Sequence, residues 1–449
     1  MLRKIRASLK LPTNRSTAAG QSVIADPPDY VLLPLKQNAL SSRQAKPVTK
    51  VGDYVYIGQL VAADNGEGTL NVYASVSGTV ASVNEEIMLL DGAVPAIRIE
   101  SDGRMDVYPG LRPPAARDLS DFIAACRTSA IVDMDSGSTP LWEKLDAAHD
   151  YYIDDIIIDG TESEPYLTAD YHTVLEHPDD IIVGVELLET YIESKRIHIC
   201  INEDKPEALS KLAKLFAEDE QVIIHPMKSR YPQGAEPVLL KSVLDLIPAK
   251  GQEVSKLGAV ILNVSTLAKL GEFFIDGMPL TSRLVTVDGS AIAKPQCLDV
   301  PIGTPVEHVI KQCGGFSVDP GRVIIGGPLS GQTVMDAELP ILGGNNAVLA
   351  FDERDCLIPA ASECIRCGRC KNVCPVGIDP TVFERAAELS DPDEAGRMLC
   401  LAGAGFCIDC GACTYICPSH RPLAAACSEG RRKADEYEAV HYDPEGGME

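Results

Sequence analysis

Two segments carry most of the chemistry that this sequence could perform. Residues 364–375 read CIRCGRCKNVCP and residues 407–418 read CIDCGACTYICP, each a C-x2-C-x2-C-x3-C-P run, offset from one another by 43 residues. Thiolates are soft ligands, and a short loop must turn three of them onto the corners of one inorganic cube. Gly368 and Gly411 relax the backbone where it wraps, and Pro375 and Pro418 redirect the chain after the fourth cysteine. In runs of this kind the fourth cysteine ligates the other cluster of a pair. The spacing therefore assigns Cys364, Cys367, Cys370 and Cys417 to one 4Fe–4S cluster, and Cys407, Cys410, Cys413 and Cys374 to a second. Zinc is the competing reading, but zinc pairs are commonly divided by a long gap rather than packed as four cysteines in eleven residues. Two neighbouring clusters make a wire for single electrons.

The chain has 15 cysteines, and the other seven (Cys126, Cys200, Cys297, Cys313, Cys356, Cys400 and Cys427) show no ligand spacing. Small buried hydrophobes are the expected role for most of them. Cys400 and Cys427 lie near the clusters in sequence and could pack against them. Cysteine usage of this kind points to metal and redox chemistry rather than disulfides, so the cytoplasm is the default compartment. No Ser/His/Asp or Cys/His catalytic set is evident, and His172, His177 and His225 read as isolated surface or loop residues.

Length and charge bound what surrounds the cysteines. At 449 residues the chain exceeds one ordinary core, and about three domains follow from ~150 residues per domain. With 45% hydrophobic and 23% charged residues the composition is globular, and 5% aromatic residues give no base-stacking surface. A net charge of −25 argues against nucleic acid and anionic membrane as main partners, and suits docking onto basic patches of other proteins. The start, MLRKIRASLKLPTNR, has five basic residues and no acid, with no apolar run after it. It reads as a solvated tail rather than a secretory signal. No stretch approaches the ~18 apolar residues of a spanning helix.

Upstream of the clusters the pattern changes along the chain. VGDYVYIGQLVA and VYASVSGTVASV alternate apolar residues around glycine turns, which predicts short antiparallel strands in a biotinyl/lipoyl-like barrel-sandwich module. No lysine stands at the hairpin tip, so no swinging arm is expected. From about 116 to 280, DDIIIDG, RIHICINED, QVIIHPM and GAVILNV are apolar runs fit for a buried parallel sheet. Helical periodicity in KPEALSKLAKLFAEDE and EPVLLKSVLDLI completes an α/β layer. SRLVTVDGSAI, TPVEHVIKQCGG and RVIIGGPLSGQTV then suggest a small α+β module over 281–345.

These segments, together with DGTESEPYLTAD, INEDKPEAL, RYPQGAEPVLL, NVSTLAKL and GGPLSGQTV, resemble the RnfC family over about residues 30–420. RnfC is the peripheral iron–sulfur subunit of the Rnf electron-transport complex; cobalamin reductases and PrdC, which supplies electrons to proline reductase, are related in architecture. The resemblance implies a multidomain α/β and α+β fold: a basic tail (1–25), a barrel-sandwich or hammerhead module (26–115) and a complex I flavoprotein-type FMN/NADH α/β domain (116–280). An SLBB β-grasp module with a returning strand (281–354), a double-cluster bacterial ferredoxin-like domain (355–430) and a flexible tail (431–449) complete it.

In the family the α/β domain carries a glycine-rich loop that approaches flavin and dinucleotide phosphates. The matching stretch here is IVDMDSGSTPLWEKL, residues 131–145, which keeps Ile131, Val132, Pro140, Lys144 and Leu145. Asp133 and Asp135 stand where glycines would be, and Ser136 and Ser138 add side chains that obstruct close approach. Like charges beside a phosphate in a partly buried site cost on the order of a few kcal/mol. Elsewhere Asp159 and Ser163 replace an amide and a thiol, Ala235 and Pro237 replace a glycine and a lysine, and Glu162, Glu164 and Tyr166 remain.

Bound FMN is therefore not expected, although the hydroxyls of Ser136, Ser138 and Thr139 could still reach a phosphate. The leading expectation is an electron-transfer protein, whether or not it is counted an enzyme. It would relay electrons from a ferredoxin, flavodoxin or flavoprotein donor to a reductase or membrane complex, peripheral to the inner face of the membrane through partner subunits. The alternative is an FMN-containing RnfC or cobalamin-reductase-type oxidoreductase using NADH or ferredoxin. A scaffold with purely structural clusters is the weakest reading, because two clusters exceed what folding requires.

Overall fold

The four apolar runs of the central segment form one parallel sheet, in the order Val222–Met227, Arg196–Asn202, Asp155–Gly160, Ala259–Asn263. A computed structural model of the chain describes residues 5–36, 43–66, 68–134, 137–443 and 447–448. The sheet is built from isoleucine and valine because both of its faces are covered: Ile156, Ile157, Ile158, Ile197 and Ile199 are fully buried. Its chain order reverses between Asp155–Gly160 and Ala259–Asn263, so a crevice opens at their carboxyl ends.

Two helices, Pro178–Ile192 and Val264–Asp276, close one face of the sheet. They cross with little space between backbones. A Cβ on Gly271 would lie 1.9 Å from the Asp180 carbonyl oxygen, and one on Gly184 would lie 2.6 Å from the Leu267 carbonyl oxygen. The second helix starts from Asn263, whose side chain accepts from the Ser265 N–H at 2.7 Å.

The N-terminal module pairs a four-stranded antiparallel sheet (Tyr30–Pro34, Gly92–Ser101, Gly78–Leu89, Tyr54–Val55) with a three-stranded one. Val31, Leu33, Val61, Val80, Ile97 and Ile99 form its core. The long hairpin Gly78–Leu89/Gly92–Ser101 leaves that core, and its Ile87, Leu89, Val94 and Ala96 pack into the core of the α+β module. That module is a six-stranded mixed sheet with the helix Val306–Gln312 against it.

The last module is helical. Pro380–Ala387 and Pro392–Ala402 fill the gap between the two cysteine runs, each with proline in its first turn and an aspartate cap. They pack with Leu423–His441 around Phe383, Leu399, Cys427 and Ala434.

Both expected tails are corrected. Residues 5–25 are anchored rather than solvated: Ile5 and Leu9 are buried, and Leu9 exchanges backbone hydrogen bonds with Tyr231 at 3.2 and 2.8 Å. The Arg6 N–H donates to the Pro375 carbonyl at 3.0 Å, the Ser8 hydroxyl to the Val373 carbonyl at 2.7 Å, and Val23–Ile24 adds a parallel strand beside Gln296–Pro301. Backbone groups and small hydroxyls make these bonds, so composition hides them. At the other end the helix Leu423–His441 runs through the start of the expected tail, and Lys250 bonds Asp435 and Glu438 on it. His172, expected at the surface, is fully buried between Glu176 and the Thr17 carbonyl.

Candidate functional site

The two cysteine loops have the same backbone. Arg366 (φ 56°) and Gly368 (φ 71°) in the first match Asp409 (φ 49°) and Gly411 (φ 70°) in the second. Left-handed residues at alternate positions coil each loop tightly, and each then enters a short helix, Arg369–Val373 or Ala412–Tyr415, that carries the third cysteine. Gly411 is constrained twice, because a Cβ there would lie 2.7 Å from the Leu329 carbonyl oxygen.

Cys374, Cys407, Cys410 and Cys413 wall one small pocket, so the crossing cysteine joins the three from the other loop. Burial pushes the Cys410 thiol up to about 12, and the neighbouring thiols of Cys374, Cys413 and Cys407 add to the rise. In the other set Cys364 and Cys367 are exposed, Cys370 is buried and Cys417 is half-buried. Near this set the Arg421 guanidinium donates to Glu384 at 2.7 Å and to the Ser362 carbonyl at 3.2 Å. Among the described residues no three His, Cys, Asp or Glu side chains converge as ligands of a single ion. Cys427, without ligand spacing in the sequence, lines the same small pocket as Cys407 and Cys413. Cys400 instead reaches the Ala434 carbonyl at 3.5 Å.

A larger cavity of about 810 Å³ adjoins this pocket, and Ile408 and Cys410 belong to both walls. It lies at the crevice of the parallel sheet, where Asp159 and Thr161 flank the end of one strand and Asn263 ends the next. The hairpin tip Leu89–Asp91 and two loops of the α+β module close the far side. Tyr231 spans the boundary: it lines the cavity and its phenol donates to the Cys410 carbonyl at 2.6 Å. Glu164 accepts from the Leu329 N–H at 2.7 Å and from the Ser330 hydroxyl, tying the cavity wall to the α+β module.

The cavity is acidic. Asp91, Asp159, Glu162, Glu164 and Asp170 line it, and no Lys, Arg or His stands among the described lining residues. Burial raises the Asp159 carboxyl to about 7 and the Asp170 carboxyl to about 6. Glu162 is paired with the buried ammonium of Lys205. Asp133 is 2% exposed and is not among the cavity-lining residues; it accepts from the Asn263 N–H at 2.9 Å and from Lys144 at 2.6 Å. The Asp133 carboxylate, expected beside a phosphate, is instead held by the Asn263 N–H and the Lys144 ammonium. Asp135 and Ser136 lie outside the described residues. Nothing in the spacing of the sequence revealed the Lys144 and Asn263 partners of Asp133.

Comparison with known proteins places these parts in a family. The RnfC barrel sandwich hybrid domain matches residues 4–104, the Nuo51 FMN-binding domain 126–272, the SLBB domain 284–334, and a 4Fe-4S binding domain 361–377 and 407–430. The C component of the Na(+)-translocating ferredoxin:NAD(+) oxidoreductase complex of Acetobacterium woodii is 33% identical over 79% of this chain and 80% of its own length. The chain belongs to the RnfC family. The corresponding component of the proton-translocating ferredoxin:NAD(+) oxidoreductase complex of Clostridium ljungdahlii is 32% identical over 85% of this chain and 84% of its own. That of the ion-translocating oxidoreductase complex of Rhodobacter capsulatus is 33% identical over 82% and 71%.

Within this RnfC-family chain the FMN implied by the second domain meets a specific difficulty. The cavity has the size for a flavin, but its described walls offer carboxylates and no cation to the phosphate. The nearby ammonium of Lys144 and the N–H of Asn263 are both engaged by Asp133. Among the described residues no helix is long and apolar enough to cross a membrane.

Proposed function

We propose that this chain relays single electrons through two 4Fe–4S clusters, one held by Cys364, Cys367, Cys370 and Cys417, the other by Cys407, Cys410, Cys413 and Cys374. Its partners are a reduced donor protein and a reductase or membrane-associated redox complex, and it works without resident flavin. The observation that carries this reading is the unequal exposure of the two thiol sets. Cys364 and Cys367 are exposed, whereas Cys374, Cys407, Cys410 and Cys413 are all half-buried and Cys410 adjoins the large cavity. A relay needs one terminus that a partner protein can approach, and a difference in solvent exposure sets the two cluster potentials apart. The C-x2-C-x2-C-x3-C-P spacing, with Cys374 lining one pocket beside Cys407, Cys410 and Cys413, favours a cube over zinc. The names of the three relatives support a ferredoxin- and NAD-linked complex as the setting.

The second reading, an FMN-containing oxidoreductase, is favoured by the match of the FMN-binding domain and by the cavity volume. Metal and flavin analysis of anaerobically purified protein separates the two. The relay reading expects about eight irons per chain and no acid-released flavin. Stoichiometric FMN, with bleaching of its visible band by NADH, overturns it in favour of the second.

A further inference from the structure

A fifth thiol stands with one of the two cysteine sets, and the spacing of the runs gives it no place as a ligand. Cys427 is buried and walls the small pocket together with Cys374, Cys407, Cys410 and Cys413. It belongs to the helix Leu423–His441, whose buried stripe is Leu423, Cys427, Gly430 and Ala434. Gly430 fixes how far that stripe sinks: a Cβ there would lie 2.5 Å from the Phe383 ring and 3.0 Å from the Leu399 side chain. The helix is thus seated on Pro380–Ala387 and Pro392–Ala402, and Cys427, one turn earlier, is held at the second cysteine loop.

A thiol is a weak donor that needs an acceptor in reach. Apart from Asp409, the pocket offers no side-chain acceptor but sulfur, because its other walls are proline, glycine, alanine, valine and isoleucine. Asp409 is already paired with Arg431 at 2.7 Å. Two of the four cysteines feel the fifth directly: hydrogen bonding from Cys427 is the leading cause that holds the Cys407 and Cys413 thiols below their ordinary range. Cys400, by contrast, donates away from the pocket to the Ala434 carbonyl at 3.5 Å.

We propose that Cys427 is a positioning residue that donates its S–H to the sulfurs of Cys407 and Cys413, and so raises the reduction potential of the cluster they hold. An electron arriving from a partner protein adds negative charge to the ligand sulfurs, and a hydrogen bond to them favours the reduced form. Burial works the other way, since added charge is costly in a dry pocket. The half-buried set therefore carries its own donor, whereas Cys364 and Cys367 of the other set are exposed. The donor narrows the gap in potential that unequal exposure opens between the two clusters. This assignment rests on the reading that Cys374, Cys407, Cys410 and Cys413 hold a 4Fe–4S cluster.

The test is a potentiometric titration of full-length, cluster-loaded protein under argon, followed by low-temperature electron paramagnetic resonance. A soluble dysprosium chelate, which speeds relaxation of the cluster nearer water, tells the two signals apart. In Cys427→Ala the inner cluster is expected to become harder to reduce by about three- to tenfold in its equilibrium constant, a fall of about 30 to 60 mV, with the outer cluster unmoved. Cys427→Ser keeps a donor at the same place and must hold the potential at or above that of wild type.

An alanine variant with both potentials unchanged overturns the assignment, as does one in which both fall together, or a serine variant that falls as far as alanine. If Cys427→Ala does not retain its iron, Cys427→Thr and Cys427→Val take over the comparison. They match in shape and differ in the hydroxyl, and equal inner potentials in the two overturn the proposal. The two readings fail separately. Wild type with about eight irons and two potentials, but no shift in the variants, removes only the role of Cys427. A shift in variants of protein that holds about four irons supports Cys427 and removes only the relay.

Discussion

Asp159 shows how much a single group can shape this molecule. It lies half-buried on the cavity wall near the end of its strand, accepting from the N–H and hydroxyl of Thr161 at 2.8 and 2.6 Å, and loss of solvent raises its carboxyl from 3.8 to about 7. A carboxyl raised on folding favours the native state fully below its ordinary value and loses that contribution as pH climbs to its folded value. Between about pH 4 and pH 7, therefore, ionisation of Asp159 draws stability away. Asp159→Asn removes the ionisation. Urea unfolding at pH 8 is expected to show the variant more stable, on the order of a few kcal/mol, with the gap closing toward pH 4. A gap that does not change with pH contradicts this. At the same scale, the gathering of Cys374 with Cys407, Cys410 and Cys413 around one pocket was legible because spacing writes it. Spacing could not reach the environment of Asp133, because Lys144 and Asn263 meet it only through the fold.

At the scale of elements, apolar runs flanked by turn residues marked the four strands of the parallel sheet, since strands buried on both faces have almost no alternative composition. The segment over residues 5–25 and the helix Leu423–His441 were missed for the opposite reason. Their sequences are polar, and what fixes them is backbone pairing and a few buried small residues such as Gly430 and Ala434. The close crossing of Pro178–Ile192 and Val264–Asp276 was equally invisible, because a glycine inside a helix looks like a weakness until its neighbour is known. Gly271→Ala sets a methyl against the Asp180 carbonyl, where a Cβ has 1.9 Å. The helices must separate, and chemical denaturation is expected to register a loss of about 2 kcal/mol or more. A change within ~0.5 kcal/mol, the range of an indifferent surface substitution, contradicts that packing argument.

At the scale of the whole molecule, the modules are joined by elements that cross between them. The hairpin Gly78–Leu89/Gly92–Ser101 enters the core of the α+β module, Glu164 bonds the loop at Leu329, and Tyr231 links the α/β domain to Cys410. Electron transfer over a fixed route benefits from such stiffness, because the cofactors must keep their separation while partners come and go. The net charge of −25 then governs how partners arrive, favouring a basic docking face at low ionic strength. The central claim, two coupled clusters and no flavin in one chain, is tested most directly by low-temperature electron paramagnetic resonance during stepwise anaerobic reduction. The account predicts about two spins per chain at full reduction, with lines broadened by mutual interaction, and no organic radical at any intermediate potential. One spin per chain, or a flavin semiquinone signal part-way through the titration, would contradict it.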